Sequence, residues 1–120
     1  MREGGDGLPM VGATARHLGV RPGADIRILY NGSVSPGQAG MSVSPSPPQN
    51  LPSHRRPPEL GGTGKDLVFE MDTEDLPEEL EYRPDRARPD THGFITPAYT
   101  MLFEHYQQAV HSTRALWWLV

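Results

Sequence analysis

The stretch DLVFEMDTEDLPEELEYRPDRARPDTHGFITPAYTMLFEHYQQAVHSTRALW, residues 66–117, carries the densest run of structural signals in the chain. Leu67 to Met71 (LVFEM) reads as a strand, led in by the turn residues GGTGKD of Gly61 to Asp66. Asp75 to Leu80 (DLPEEL) suits a short helical turn, with Asp75 as cap, an early proline, and carboxylates in the first turn. Tyr82 to Pro89 is expected to be extended or looped. Thr91 to Thr96 (THGFIT) reads as the last strand, and Pro97, which has no N–H to donate, closes it. From Met101 to Trp117 the positions Leu102, Phe103, Tyr106, Ala109, Val110, Thr113, Leu116 and Trp117 recur at helical spacing. Thr100 stands as N-cap and Glu104 falls in the first turn. Strand, acidic turn, strand and amphipathic helix in succession predict an α+β domain: a small mixed sheet with a C-terminal helix.

Upstream of this unit the signals thin out. Met10 to Leu18 (MVGATARHL) is long enough for a short helix, with Gly19 placed as its stop. The Pro-Gly pair in Arg21 to Ala24 marks a turn. Asp25 to Tyr30 (DIRILY) alternates as a strand, with Ile26, Ile28 and Tyr30 on one face and Asn31-Gly32 ending it. Residues 33–64 form a proline-rich connection in which prolines deny a ladder or a helix any length. Within it, only Gly40 to Ser44 (GMSVS) has room for a short strand or helical turn. The reading is a flexible N-terminus over residues 1–9 and a single domain over residues 10–120, with 33–64 as its most irregular part.

Composition sets the class. At 120 residues with 36% apolar residues, the chain suits one small domain with a thin core. Gly 13 and Pro 13 bring it close to low-complexity sequence, while two Trp, four Tyr and three Phe supply the material of a core. The formal net charge of -4 comes with a single lysine, and acids crowd residues 66–90, so a phosphate-backbone binder is not indicated and no nucleic-acid partner is expected. Absence of cysteine excludes disulfides, thiolate chemistry and cysteine-ligated zinc. No basic-plus-apolar leader and no apolar run of spanning length occur, so the expected location is the cytoplasm, or that of a target cell reached without a cleavable signal, with no membrane partner.

Several groups of residues suggest chemistry. Gly61 to Asp66 (GGTGKD) resembles a phosphate-binding loop, but Glu59 stands where the motif opens with glycine and Asp66 where a metal-binding hydroxyl is needed, so glycines at a strand entrance are the better account. His92, His105 and His111 with Glu104 lack the spacing of a metal set; none is expected. The prolines of Pro45 to Pro48 and Arg55 to Pro58 have the character of segments that dock on aromatic grooves. His92 differs from the other histidines because it lies on a predicted strand beside Gly93, which lets a neighbour approach the backbone closely. Its plainer account is a histidine hydrogen-bonded at the edge of a core.

The order of ILY (Ile28 to Tyr30), GMSV (Gly40 to Val43), DLVFEMDTEDLPEELEY (Asp66 to Tyr82) and THGFITPAYTM (Thr91 to Met101) followed by a helix ending in Trp resembles a family of small type VI secretion effector toxins with an ADP-ribosyltransferase-like fold, known from actinobacteria and fungi. The acidic turn Asp72 to Pro77 and the pattern met by Thr91, His92, Ile95, Pro97, Ala98 and Met101 are its most specific parts. The resemblance implies a sheet split across a cleft that binds NAD as substrate, cleaves its bond to nicotinamide, and serves as a toxin with an immunity protein and an intracellular target as partners. Carried over, the family's functional positions fall on Tyr30 with Arg27 nearby, on Ser42 and on His92: Tyr30, Ser42 and His92 as catalytic residues, and Arg27, Ser42 and His92 as NAD-binding ones. Asn31 stands where the family has arginine, so the pyrophosphate-binding cation is expected from Arg27 or from Arg55 and Arg56. Glu70 and Glu104 are candidates for the family's ribose-binding glutamate. A non-catalytic member of the same fold, binding an immunity or carrier protein, is the alternative.

Overall fold

The computed structural model describes residues 1–120, and its longest elements are the two strands of one antiparallel hairpin and one helix. The elements are β1 (Ser33–Val34), β2 (Met41–Val43), β3 (Phe69–Glu70), β4 (Leu80–Pro84), β5 (Gly93–Pro97), β6 (Met101–Leu102), α1 (Phe103–Ser112) and β7 (Trp118–Leu119). They make a mixed α+β domain of three small antiparallel sheets: β2-β5-β4, β1-β6 and β3-β7. No helix is long and apolar enough to cross a membrane.

The hairpin forms because Leu80–Pro84 and Gly93–Pro97 alternate on matching registers, Leu80 opposite Pro97 and Tyr82 opposite Ile95. Met41 of β2 joins the same row on the other side of Ile95, so Met41, Ile95 and Leu80 turn one face into the core. The opposite row, Ser42, Phe94 and Arg83, faces away from it. Gly93 is needed here because Tyr82 lies over it: a Cβ on Gly93 would come within 2.4 Å of the Tyr82 hydroxyl oxygen.

The helix locks this sheet through one side chain. Tyr106 is fully buried; its hydroxyl donates to the Ile95 carbonyl at 2.6 Å and accepts from the Met41 N–H at 3.1 Å, so it stands in for a rung between β5 and β2. Gly40 makes room for it, with φ at +148 and a would-be Cβ only 2.7 Å from that hydroxyl. Burial pushes the Tyr106 phenol pKa well above its usual value. Ala109, Val110, Thr113 and Trp117 complete the buried side of the C-terminal segment, as the helical spacing predicts.

The helix itself is shorter than its periodicity suggests. It runs from Phe103 to Ser112, with Leu102 in the capping position and no side-chain cap, while Thr100 Oγ1 pairs with Ser35 Oγ at 2.9 Å. Met101 and Leu102 pair with β1, which leaves Leu102 exposed and Met101 buried. After Ser112 the chain tightens into a 3₁₀ turn at Arg114–Leu116. Thr113 drives this change, its hydroxyl donating to the Val110 carbonyl at 2.7 Å while accepting from the Trp117 indole at 3.0 Å. The acidic turn is also a 3₁₀ turn, Thr73–Asp75, capped by Asp72 rather than Asp75: Asp72 accepts from the Glu74 N–H at 2.9 Å. The strand read at Leu67 to Met71 shortens to β3, and the extended part of Tyr82 to Pro89 is the end of β4.

Two expected elements are absent. Met10 to Leu18 is a closed loop and not a helix, with Leu18 N–H bonded to Met10 O and Gly12 N–H to Leu18 O. Thr14 accepts from the Arg16 N–H and pairs with His17, so local side-chain bonds outcompete the helical ladder. Asp25 to Tyr30 is not a strand, because turns consume it from both ends. Asp25 accepts from the Arg21 N–H at 2.7 Å, and Leu29 is drawn into the reversal at Asn31-Gly32 through bonds to Ser33 and Gly32. Ile26 alone keeps isolated bridges to Pro22 and Ala39. Residues 26–30 therefore belong to none of the three sheets, β5's included.

Irregular chain carries much of the structure: 33 of the 53 backbone hydrogen bonds lie outside helices and strands, so loop conformation is fixed chiefly by bonds within the loops themselves. Residues 33–64 hold β1, β2 and three 3₁₀ turns at Pro48–Asn50, Ser53–Arg55 and Pro58–Leu60. Residues 1–9, read as flexible, are bonded into the fold, with Arg2 N–H on Arg16 O, Met10 N–H on Arg2 O and Pro9 buried. Side chains of α1 and of the 3₁₀ turn after it hold the N-terminal segment by its backbone. Gln107 accepts from the Val20 N–H and donates to the Val20 carbonyl, both at 2.8 Å; His111 donates to Gly12 O at 3.0 Å; Arg114 donates to Pro9 O at 2.7 Å.

Candidate functional site

The turn between β4 and β5 is where the first candidate residue is set. Asp85 opens it, its carboxylate accepting from the Ala87 N–H at 2.9 Å, and the backbone closes it through Asp85 N–H on His92 O at 3.0 Å. This continues the hairpin register by one step and puts Asp85 and His92 side by side. Their side chains meet: Asp85 Oδ2 lies 2.8 Å from His92 Nδ1. A carboxylate only accepts, so Nδ1 carries the proton and donates. That bond is the main reason the Asp85 carboxyl is held below its usual range, with the Ala87 N–H next. The edge of the imidazole packs against Phe94, ring centroids 4.8 Å apart at 80°.

His92 immediately precedes β5 and is bonded across to Asp85 in continuation of its register, so it falls beside Phe94, whose partner on β2 is Ser42. Ser42 and His92 are thus brought to the same side of the three-stranded sheet. Both line a cleft of about 700 Å³ that extends around the β2 edge. Its walls are the Thr14 to Arg21 segment, the prolines that follow β2, residues 66–73, and the C-terminal Trp117 to Val120. The proline-rich loop is therefore a wall of the cleft, with Pro45, Pro47 and Pro48 facing it. Tyr82, Phe69, Trp117 and Trp118 bring aromatic surface to the lining.

The charged lining is mixed. Arg55 reaches the cleft, donates to Ala15 O at 3.2 Å and has no carboxylate partner. Arg21 lines it with two guanidinium nitrogens donating to one oxygen of Asp25, Oδ1. Asp66 does so while bound by two Arg16 nitrogens at 2.7 and 2.6 Å, which hold its carboxyl below the ordinary carboxylate range. Glu70, half-buried on β3, faces the same space.

The remaining candidates lie elsewhere. Tyr30 is fully exposed at the tip of the Asn31-Gly32 turn, at 104% of its reference area, and Arg27 borders a separate shallow depression of about 350 Å³. Neither reaches the cleft, because the strand that was to present them is absent. Arg56 is spent on the Leu51 and Leu60 carbonyls, and Glu104 is exposed on α1, outside the lining. Of the cations considered for a pyrophosphate, only Arg55 lines the cleft; of the two glutamates, only Glu70 does. Asp85 escaped the sequence reading altogether. Its one signal is a symmetric hairpin register, Pro84 opposite Gly93, which places residue 85 opposite residue 92. Comparison of the chain with protein-family models, with curated proteins and with solved structures finds no match.

Proposed function

We propose that this chain is a toxin domain of ADP-ribosyltransferase-like fold, which binds NAD in the cleft as its substrate and transfers ADP-ribose to an intracellular target. The observation that carries this reading is the convergence of Ser42, His92, Glu70 and the unpaired Arg55 on one cleft. These are the residue types the chemistry requires. Breaking the bond between ribose and nicotinamide develops an oxocarbenium-like charge, which a carboxylate stabilises while polar side chains hold the ribose hydroxyls. In this reading Glu70 and His92 face the ribose, Ser42 shapes the nicotinamide pocket, and Arg55 takes the pyrophosphate. The cleft volume of about 700 Å³ falls in the range of pockets that enclose a ligand of this class. Aromatic lining from Tyr82 and Trp118 offers surfaces on which rings stack.

Release of nicotinamide from NAD by purified protein tests the reading directly, together with a growth assay on induced expression of wild type and His92→Ala. Turnover that depends on Glu70 and His92 supports it, and a protein that neither binds nor consumes NAD removes it. A second reading is favoured by the cleft rim, where Leu67, Trp118 and Val120 are substantially exposed. There the same domain is non-catalytic and engages an immunity or carrier protein through that apolar rim. Binding of such a protein that survives Glu70→Gln and fails with Trp118→Ala, in a chain without NAD turnover, selects it.

A further inference from the structure

His92 lines the cleft, and Asp85 stands behind it, bonded to it but outside the lining. The two are joined twice, through the backbone bond that closes the hairpin turn and through the 2.8 Å side-chain bond. The carboxylate therefore fixes both the ring's position and its tautomer, with the proton on Nδ1 and the lone pair on Nε2. An imidazole held in this way, with one nitrogen on a carboxylate and the ring bordering a substrate-sized space, is equipped to take a proton.

We propose that Asp85 and His92 act together at the cleft as a general base, His92 accepting the proton of the nucleophile that attacks the bound dinucleotide and Asp85 serving as its positioning residue. This rests on the cleft being an NAD site. In the step, the bond between ribose C1 and the nicotinamide nitrogen breaks and its electron pair neutralises the pyridinium charge. A bond forms between C1 and the oxygen of water or of a target hydroxyl, whose proton passes to His92 Nε2. The resulting imidazolium is stabilised by the Asp85 carboxylate. No oxidant, metal or further reactant is required.

The surroundings suit this role. The charged groups on the β4 side are Asp85 itself, Arg88, whose guanidinium lies 4.0 Å from the Asp85 carboxylate, and Arg83, which is paired with Glu81 one row along the same face. Asp90 lies in the same turn, with its carbonyl accepting from Asn50. The β2 side brings no ionisable group: Ser42 is opposite Phe94, Ser44 follows one register step on, and prolines come next. On β5 the neighbour is the uncharged Phe94 ring. Asp85 is thus the carboxylate in contact with the imidazole, and its removal is a clean perturbation.

The test measures NAD affinity by calorimetry and nicotinamide release from pH 5 to 9 for wild type, Asp85→Asn and His92→Gln, with thermal melts to verify folding. Wild-type turnover is expected to depend on pH, and His92→Gln to lose most of the turnover together with that dependence. Asp85→Asn, which keeps the turn bond to Ala87, is expected to bind NAD as wild type does while turnover drops about a hundredfold, the scale of a general-base contribution. Nitrogen-15 spectra should show one neutral tautomer in wild type and a mixture in Asp85→Asn, a readout that a purely structural turn residue would not move. Wild-type turnover matched by Asp85→Asn, or binding of NAD by wild type without any turnover, overturns the base assignment while leaving the NAD site standing. Absence of NAD binding to folded wild type overturns the site and the base together.

Discussion

At the scale of single residues, hydroxyl groups do much of the positioning. The Tyr106 hydroxyl satisfies a donor and an acceptor that otherwise face each other inside the sheet, so Tyr106→Phe leaves both unpaired. It should cost about 1–3 kcal/mol, read as a lower urea midpoint at unchanged slope. Ser42→Ala and His92→Ala, by contrast, touch side chains that line the cleft, and under the proposed function should lower NAD turnover by roughly a hundredfold with the fold intact. Ser112→Ala, on α1 and outside the cleft lining, is the control and should do little. Full toxicity of both site variants at comparable amounts of folded protein would turn the assignment toward partner binding. The sequence made Ser42 and His92 legible because each lies in a short alternating segment whose facing can be counted. Asp85 was hidden because its partnership depends on the hairpin turn closing between residues 85 and 92, which turn propensities alone do not specify.

At the scale of elements, the buried face of the helix follows its pattern, while the partner strand of the hairpin and the N-terminal half do not. Val110 is 1% exposed on the buried side of α1, so Val110→Asp places an unpaired charge in a core of 13 residues. It should cost several kcal/mol, comparable to the whole stability of a small domain. An unchanged melting temperature would refute the face assignment. Gly40→Ala should also be strongly destabilising, since the new methyl would meet the Ile95 carbonyl oxygen at 2.5 Å and residue 40 has a positive φ. The periodicity of Met101 to Trp117 showed the buried face well but overstated the length, because Thr113 redirects the backbone through its own hydroxyl. DIRILY alternates well enough for a strand, yet the Arg21–Asp25 turn before it and the Asn31-Gly32 turn after it leave no partner edge. Strand propensity describes fitness for a pleated surface, and that surface has to exist.

At the scale of the whole molecule, acid is the condition to which the fold should respond. Asp66, Asp85 and Asp6 each have a pKa depressed in the folded state, chiefly by side-chain hydrogen bonds from Arg16, His92 and Arg114 respectively. For a depressed carboxylate the stabilisation is present above the unfolded pKa and is lost as pH falls through the folded one. Melting temperature should therefore hold from neutral pH down to about pH 4, where free aspartates titrate, and decline below it. Asp66→Asn should flatten part of that decline, and a slope identical to wild type would show that the Arg16 pair contributes nothing. The bonds from α1 and the turn after it to the N-terminal segment set an order of events. Gln107 reaches back 87 positions to Val20, His111 99 to Gly12, and Arg114 105 to Pro9. On a translating ribosome, Pro9, Gly12 and Val20 gain these partners only after residues 107–114 have left the exit tunnel. A segment made well before α1 is therefore among the last parts of this fold to settle.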